Sequence, residues 1–332
     1  MTKFKVGIVG VGKLGNYHCN SLSQRHDAEL VGVYDIDKEQ REKSAEKYHC
    51  RSFENYADLV SAVDVVGVIV PTSYHSQVTR MAIEARKPVF VEKPIAAGVV
   101  EAEEMVRFAE RNQVPLQVGH IERFNPAIRA LNGFALKPKF IESHRLAPFD
   151  PRGTDVAVVL DLMIHDIDII LSLVKSNPIH IDASGVAVVS DEVDIANARL
   201  QFENGCVANV TSSRISQRKM RKMRLFQRDS YISIDFLQKL TEIFRIQDAG
   251  DRNADTVVLG QIEKGKHHRH IIYDKPGTPD DDAMHAEWTS FFNAIRKGIR
   301  PVVSGEDGLN ALRVATEITN LIAGRERNLQ KT

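Results

Sequence analysis

Over the first 120 residues, short apolar runs alternate with amphipathic segments. Runs rich in Val and Ile, several of them apolar on both faces, predict β-strands at 5–10, 28–35, 64–71, 88–94 and 115–120. Between these runs, apolar positions recur at helical spacing in 37–49, 73–86 and 99–112. Strands that alternate with helices predict right-handed βαβ units and therefore a doubly wound parallel sheet of the α/β class.

Beyond residue 120 the pattern changes to strand-like runs that follow one another closely. Five such runs lie between residues 179 and 240, and Asn204-Gly205 and Asp229-Ser230 are typical of hairpin turns. This pattern predicts an α+β domain with a large, open and mostly antiparallel sheet. Two further helices are predicted at 281–298 and at 304–324, the second with Ser304 as N-cap and Asp307 at N3.

The change of pattern sets the expected domain organisation. We assign residues 1–120 to the first domain and residues 121–303 to the second. The two C-terminal helices are expected to pack back against the first domain, and segment 304–326 is assigned there. The first domain therefore need not be one continuous stretch of chain.

The segment VVLDLMIHDIDII at 158–170 predicts a helix that is apolar around most of its circumference. On a regular helix Asp161, His165 and Asp168 fall within roughly 60° of one another, whereas Asp166 points away. Buried polar groups need partners, so this stripe is compatible with a structural hydrogen-bond network as well as with a functional site.

Composition excludes several classes of protein. The 332 residues contain 44 basic and 44 acidic side chains, so no charge bias favours a nucleic acid or a membrane surface as partner. No apolar run reaches the length of a membrane span, and Lys13 interrupts the N-terminal apolar run before a signal peptide could be complete. The three cysteines form no close pair, which favours a reducing compartment, and we expect a cytoplasmic globular protein.

The sequence GVGKLG at 10–15 fits the G-x-G-x-x-G pattern between a predicted strand and a predicted helix. In that setting, amides at the helix N-terminus hold a pyrophosphate, and the acid at the end of the second strand binds the ribose 2′-hydroxyl. Asp35 would repel a 2′-phosphate, which favours NAD over NADP, although Lys38 and Arg41 weaken this preference. The alternative is a merely structural turn. The cofactor-binding candidates from this motif are Gly10, Gly12, Lys13, Leu14, Gly15 and Asp35.

Two further motifs, PTSYH at 71–75 and VEKP at 91–94, lie where strands of the first domain end. Ligands of open α/β sheets bind at the carboxyl ends of strands, so Thr72, His75, Glu92 and Lys93 are also cofactor-binding candidates. The alternative for Glu92 and Lys93 is a solvated charge pair.

GVGKLG, PTSYH, VEKP and the D-x-x-x-H sequence DLMIH together resemble the glucose–fructose oxidoreductase / inositol dehydrogenase / MocA (GFO/IDH/MocA) family, along essentially the whole chain. The resemblance implies an N-terminal Rossmann domain that binds NAD and a C-terminal open sheet that binds substrate. It further implies hydride transfer at a sugar or cyclitol carbon, with Lys93, Asp161 and His165 as catalytic residues. Assembly into a homodimer or homotetramer through the C-terminal sheet is also implied.

These residue types suit the oxidation of a secondary alcohol. The hydroxyl proton leaves as the hydride is transferred, and an imidazole has a pKa near the working pH for that step. Asp161 can orient His165, and Lys93 can stabilise the developing alkoxide. Either His165 or Lys93 could be the base.

The segments VGHIERFNPA (118–127) and DLMIHDIDII (161–170) resemble the branch of this family that acts at C3 of UDP-N-acetylglucosamine. Its 3-keto product would be a precursor for transamination in cell-envelope glycan or lipid A synthesis. A UDP-sugar carries a diphosphate, which arginine side chains bind well. The substrate-binding candidates are Arg123, Asn125, Arg145, Arg152, Asp161 and His165.

Other interpretations remain open. The substrate could be an inositol, a free sugar or a UDP-sugar uronate, or the chain could be a non-catalytic NAD-binding regulator or a reductase of an unrelated ligand such as a bilin. The basic run at 216–228 favours a solvated strand face or an oligomer interface over phosphate binding. HHRH at 267–270 favours a surface strand, and no metal site is predicted.

Overall fold

The structure is a computed structural model that describes residues 3–150, 156–248, 257–264 and 267–329. It divides into two compact units, each formed by two stretches of chain. The first unit comprises Met1–Phe124 and Asp282–Arg313, and the second comprises Asn125–Asp281 and Val314–Thr332. No helix among the described residues is both long enough and apolar enough to cross a membrane.

The first unit contains a parallel sheet of six strands with helices between them. Its strands are β1 (Phe4–Val9), β2 (Ala28–Tyr34), β3 (Arg51–Ser52), β4 (Val65–Val68), β5 (Val89–Glu92) and β6 (Leu116–Gly119). Its helices before residue 124 are α1 (Lys13–Ser23), α2 (Lys38–Lys47), α3 (Tyr56–Ala62), α4 (His75–Glu84) and α5 (Val99–Arg111). The strand order β3-β2-β1-β4-β5-β6 confirms the predicted doubly wound sheet. Among the strands of this unit the pattern missed only β3, which is too short to carry a hydrophobic period.

The second unit contains a nine-stranded sheet in the order β14-β15-β13-β12-β11-β7-β10-β9-β8. Its strands are β7 (Phe140–Leu146), β8 (Pro178–Val186), β9 (Ile195–Phe202), β10 (Val207–Ser213), β11 (Met220–Gln227), β12 (Ser230–Asp235), β13 (Leu240–Asp248), β14 (Val257–Lys264) and β15 (His267–Asp274). Strands β7 and β10 pair in parallel, and the other described neighbours are antiparallel, which confirms the predicted mostly antiparallel sheet.

Both predicted hairpins are present in the second unit. Gly205 has a φ of 79° in the turn between β9 and β10, as an Asn-Gly turn requires. The turn between β11 and β12 lies at 228–229, because Ser230 already belongs to β12. Between residues 125 and 281 the described helices include the short α6 (Pro126–Arg129) and α7 (Ile164–Val174), and α7 packs against β7 and β10.

The helix α8 (Ala283–Lys297) completes the core of the first unit. Trp288, Phe291 and Phe292 are buried, and the Trp288 ring stacks on Phe90 of β5 with ring centroids 4.7 Å apart. This packing explains why residues from Asp282 onward belong to the first unit. This helix thus packs back against the first unit, as expected, although the range 121–303 had counted it with the second domain.

The last helix, α9 (Gly305–Leu329), begins in the first unit and ends in the second. Ser304 and Asp307 form the predicted cap, since the Asp307 carboxylate accepts the Ser304 N–H at 2.9 Å. Arg313 reaches Glu103 of α5 at 2.9 Å, whereas Arg325 reaches Asp182 of β8 at 3.3 Å. Only the first part of segment 304–326, up to Arg313, thus belongs to the first unit.

Candidate active site

The turn between β1 and α1 is too tight for side chains at two of its glycines. Gly10 has a φ of 88°, and a Cβ there would lie 2.3 Å from the carbonyl oxygen of Ile69. A Cβ on Gly15 would lie 2.0 Å from the carbonyl oxygen of Gly10. Open space lies beside Gly12, immediately before α1 begins at Lys13. The first amides of α1 can therefore face a bound anion, which the helix dipole also favours.

Asp35 follows β2, and its side chain stabilises the glycine turn between β1 and α1. Its Oδ2 accepts a hydrogen bond from the Val11 N–H at 2.8 Å, and its Oδ1 accepts one from the Asp37 N–H at 3.0 Å. These bonds hold the Asp35 carboxylate beside the glycine turn. Its negative charge would repel a phosphate group on the ribose 2′-oxygen, as in NADP.

The two basic residues downstream of Asp35 do not offset this charge. Arg41 is only 7% exposed, and its guanidinium donates to the carbonyl oxygen of Asp35 at 2.9 Å and to Ser52 Oγ at 3.1 Å. Lys38 is exposed on α2, with Nζ 3.8 Å from Glu42. The electrostatics of this part of the unit favour NAD over NADP.

One cavity of about 1100 Å³ lies at the carboxyl ends of the parallel strands. Its volume, its glycine turn and its apolar walls fit a dinucleotide such as NAD. Three apolar residues of the wall were not predicted from the sequence. Ile36 and Tyr74 follow strand ends, and Met81 lies on α4. All ten cofactor-binding candidates from the sequence line this cavity: Gly10, Gly12, Lys13, Leu14, Gly15, Asp35, Thr72, His75, Glu92 and Lys93.

His75 shapes the cavity wall but turns its ring nitrogens toward the backbone. Nδ1 lies 2.8 Å from the carbonyl oxygen of Pro94, and Nε2 lies 2.9 Å from that of Val70. Burial lowers the pKa of the His75 ring, more than these carbonyl contacts raise it. A neutral ring has one N–H and donates to one of the two carbonyls. We therefore infer that His75 stabilises the backbone at the ends of two strands and does not form a direct hydrogen bond to the cofactor.

Glu92 is 7% exposed and is not the solvated charge that was the alternative for this motif. Its Oε1 lies 2.9 Å from His18 Nε2, and its Oε2 accepts the Lys93 N–H at 3.0 Å. Burial raises the pKa of the Glu92 carboxyl, but the bonds from His18 and Lys93 and the charge of Lys93 outweigh burial and hold that pKa below its ordinary value. An ionised carboxylate therefore lies behind Lys93 at the end of β5.

The partners of Glu92 were not found from the sequence. His18 is completely buried on α1, and its Nδ1 accepts a hydrogen bond from Trp288 Nε1 at 3.1 Å. The only local signal for His18 is its place three residues after Gly15 on the buried side of α1. Trp288 carries no local signal at all, because it comes from a distant helix.

In the second unit, Asp161 lies in a π-helical turn, Val159–Met163, that leads into α7. The predicted segment is therefore not a regular α-helix from its start, and the angles expected between Asp161 and the residues of α7 do not apply across this turn. Asp161 and His165 are partly exposed, whereas Asp168 is 1% exposed. Single π turns of this kind occur frequently at functional sites.

Arg145 was a candidate for substrate phosphate, and the structure corrects this role. Its Nε lies 2.7 Å from Asp166 Oδ2 and its Nη2 lies 3.1 Å from Oδ1, with both side chains 2% exposed. A buried carboxylate needs such a partner, since an uncompensated charge there would cost several kcal/mol. Arg145 therefore neutralises Asp166 beneath α7.

The remaining substrate candidates lie in different surroundings. Asn125 Oδ1 accepts the Ala127 N–H at 3.1 Å, so its side chain caps α6 and is not a free ligand group. Arg123, in the first unit, has Nη2 3.9 Å from Asp307 Oδ1 and a side chain that is 11% exposed. Arg152 lies outside the described residues.

The histidine-rich stretch at 267–270 lies in β15, as the strand prediction required. Within the part of the chain that the structure describes, no group of three or more His, Cys, Asp or Glu side chains could hold a metal ion. In the basic run, Lys222 lies 3.3 Å from Asp235 and Arg224 lies 3.5 Å from Glu142. These pairs occupy a partly exposed strand face, as expected.

Comparison with known families gives matches in both units. A profile of an oxidoreductase family with an NAD-binding Rossmann fold matches residues 4–120. A profile of the GFO/IDH/MocA C-terminal domain matches residues 137–231.

Individual relatives match along the whole chain. A UDP-N-acetylglucosamine 3-dehydrogenase from Acidithiobacillus ferrooxidans is 35% identical, over 100% of both chains. A solved structure of a UDP-N-acetylglucosamine 3-dehydrogenase from that organism has a TM-score of 0.86 at 33% identity, covering 97% of this chain and 98% of the other. A myo-inositol 2-dehydrogenase from Thermotoga maritima is 24% identical over 93% of both chains.

Proposed function

Because the chain belongs to the GFO/IDH/MocA family of NAD-dependent oxidoreductases, we propose that it oxidises the C3 hydroxyl of UDP-N-acetylglucosamine to the 3-keto sugar. The observation that carries this substrate is the full-length similarity to a UDP-N-acetylglucosamine 3-dehydrogenase, which exceeds the similarity to the myo-inositol 2-dehydrogenase. Similarity in the second unit matters here, because that unit contains Asp161 and His165.

The first unit would hold the cofactor. The amides that begin α1 at Lys13 would bind the pyrophosphate, and the Asp35 carboxylate would accept a hydrogen bond from the ribose 2′-hydroxyl. NAD, when bound, accepts a hydride from the reacting carbon. The ionised Glu92 behind Lys93 adds negative charge at the carboxyl end of β5, where open α/β sheets bind their ligands.

Three side chains would handle the proton. His165 is the proposed base, since an unperturbed imidazole accepts a proton near neutral pH, and Asp161 would orient its ring and stabilise the cation that forms. The Lys93 ammonium group would donate a hydrogen bond to the substrate oxygen and stabilise its developing negative charge. The bond from carbon to hydrogen breaks as the hydroxyl proton moves to His165.

The test is to follow NAD reduction with a panel of candidate substrates. We expect kcat/KM for UDP-N-acetylglucosamine to exceed that for N-acetylglucosamine about ten- to a hundredfold or more, because one charge-assisted contact to phosphate contributes about 1.5–3 kcal/mol. Arg152→Ala, and to a smaller extent Arg123→Ala, should raise KM for the nucleotide sugar, whereas Arg80→Ala on the exposed face of α4 should not.

Each other result of the panel points to a different function. Better turnover of myo-inositol, free sugar or a UDP-sugar uronate would contradict the proposed substrate and leave the dehydrogenase class intact. Tight NAD binding without turnover of any member would favour the regulator, and a strong preference for reduced cofactor would favour a reductase.

A further inference from the structure

Three elements of the first unit meet at the side chain of Glu92, and a fourth packs behind them. Strand β5 supplies Glu92 itself, and β6 supplies Gly119, where an added Cβ would lie 2.8 Å from Glu92 Cδ. Helix α1 supplies His18, and α8 supplies Trp288 behind it. A side chain at position 119 would displace the carboxylate, so the space for Glu92 depends on that glycine.

The hydrogen bonds fix the protonation of His18. The indole nitrogen of Trp288 can only donate, so the His18 Nδ1 that lies 3.1 Å from it must accept and carries no proton. The ring proton is therefore on Nε2, which donates to Glu92 Oε1 at 2.9 Å. A doubly protonated ring would break the bond to Trp288. His18 thus links Trp288 to Glu92 through one accepting and one donating ring nitrogen.

The link is also held rigidly. His18 and Trp288 are both 0% exposed, so water cannot replace either hydrogen bond. The Trp288 ring stacks on Phe90 at 4.7 Å between centroids, and the His18 ring lies 5.1 Å from the same Phe90 ring. Packed rings of this kind hold one orientation, because rotation would require neighbouring side chains to move.

The far end of the link is the backbone of Lys93. Glu92 Oε2 accepts the Lys93 N–H at 3.0 Å, and the carbonyl oxygen of the following residue, Pro94, lies 2.8 Å from His75 Nδ1. The backbone is therefore anchored to buried side chains at the amide of Lys93 and again at the carbonyl of Pro94.

We propose that Trp288 and His18 are positioning residues that act through Glu92 to hold Lys93 in place. The inference rests on the role of Lys93 in the proposed function. The link works through hydrogen bonds, so it needs a donor and an acceptor at position 18. It acts on the catalytic step and leaves the adenosine end of the cofactor site unchanged.

The experiment compares His18→Gln, His18→Leu and Trp288→Phe with a control, Phe291→Leu, which alters the same aromatic cluster without touching the hydrogen bonds. His18→Leu and Trp288→Phe should lower kcat about tenfold or more, because a small displacement of a reacting group costs up to about a hundredfold. The Kd for NAD should change less than about twofold, since Lys93 does not hold the adenosine. His18→Gln should stay near wild type, because an amide offers a donor and an acceptor without charge.

A second measurement does not depend on turnover. In wild type, hydrogen exchange at the Lys93 amide should be slow, and nitrogen NMR should show His18 with its proton on Nε2. His18→Leu and Trp288→Phe should speed this exchange about tenfold or more, whereas His18→Gln and Phe291→Leu should not.

Three outcomes would overturn the proposal. They are equal loss of kcat in His18→Gln and His18→Leu, unchanged exchange at Lys93 in both disruptive variants, or a proton on His18 Nδ1. If wild type oxidises no member of the substrate panel, the proposed function fails, and the exchange and NMR measurements still decide whether the link exists.

Discussion

At the scale of single residues, Asp35 should determine the choice of cofactor. Its carboxylate is fixed by two backbone N–H groups, and Arg41 is committed to the Asp35 carbonyl. Calorimetric titration should show NAD binding more tightly than NADP. Asp35→Ser should reduce that preference about tenfold or more, since it removes the repulsion of a 2′-phosphate. Lys38→Ala, on the exposed face of α2, is the control and should change the preference little. Equal affinity of wild type for both cofactors would mean that Asp35 does not face the ribose.

Lys93 and His165 belong to different units, and a double variant tests the proposal that both act on one hydroxyl group. Lys93→Ala and His165→Ala should each lower kcat on the order of 10²–10⁴-fold. NAD affinity should remain close to wild type, because neither side chain holds the adenosine end. If both act on one hydroxyl group, the double variant should lose far less than the product of the two single losses. Independent losses that multiply, or a His165→Ala enzyme with near-normal turnover, would contradict a shared catalytic role.

At the scale of elements, a buried ion pair holds the chain just before the π turn. Arg214 Nε lies 2.8 Å from Asp194 Oδ1, and Arg214 Nη1 donates to the Val156 carbonyl at 2.6 Å. Asp194 Oδ2 also accepts three backbone N–H groups, those of Val188, Val189 and Ser190. Burial raises the pKa of Asp194, but these N–H groups and Arg214 outweigh it and hold that pKa well below its ordinary value of 3.8.

Asp194→Asn should therefore destabilise the protein by about 3 kcal/mol, since it leaves Arg214 buried without its counter-charge. A carboxyl whose folded pKa is depressed contributes stability above its unfolded pKa and loses it as pH falls through the folded pKa. The difference in unfolding free energy between wild type and variant should thus be constant above about pH 5 and shrink below about pH 4. Denaturant unfolding at several pH values measures it.

The matched control is Asp182→Asn, at a carboxylate that is 50% exposed and pairs with His180 and Arg325. It should cost less than about 0.5 kcal/mol. If the difference in unfolding free energy between wild type and Asp194→Asn does not change in acid, the charge of Asp194 is not what stabilises this loop.

At the scale of the whole molecule, the second unit presents an aromatic row across its sheet. Neighbouring rings have centroids 5.1 to 5.7 Å apart, and all are partly exposed. On β7 the row lies on the face opposite the buried Ile141. Contiguous apolar surface of this kind marks interaction sites, and we propose that a second copy of the chain covers it. The row consists of Phe140, Phe226, Tyr231, Phe244 and Tyr273.

Light scattering should give wild type a mass that is twice or four times the 37.2 kDa of one chain. Phe226→Glu should shift that mass toward the monomer, because a charge within the row cannot be buried against the same row of a partner. Val100→Glu, at a position of α5 that is 69% exposed, should leave the mass unchanged. A monomeric wild type would contradict the proposal that the aromatic row is an interface between two copies.

The sequence by itself determined the features that depend on residues close together in the chain. The strand positions of the first unit and the glycine turn follow from local periodicity and spacing. The hairpin at Gly205 and the Ser304–Asp307 cap are likewise decided within a few residues. These local signals were sufficient to predict the type of both sheets and ten of the residues that line the cavity of the first unit.

Only the tertiary structure decided the contacts between distant residues. His18 and Glu92 are 74 residues apart and Trp288 lies 270 residues from His18, so no local pattern could join them. Arg145 lies 21 residues from Asp166, and only the packing of α7 on the sheet shows that it neutralises a buried carboxylate instead of remaining available for phosphate. The place of α8 was decided in the same way, because an amphipathic pattern shows that a helix has an apolar face and not which core that face will join.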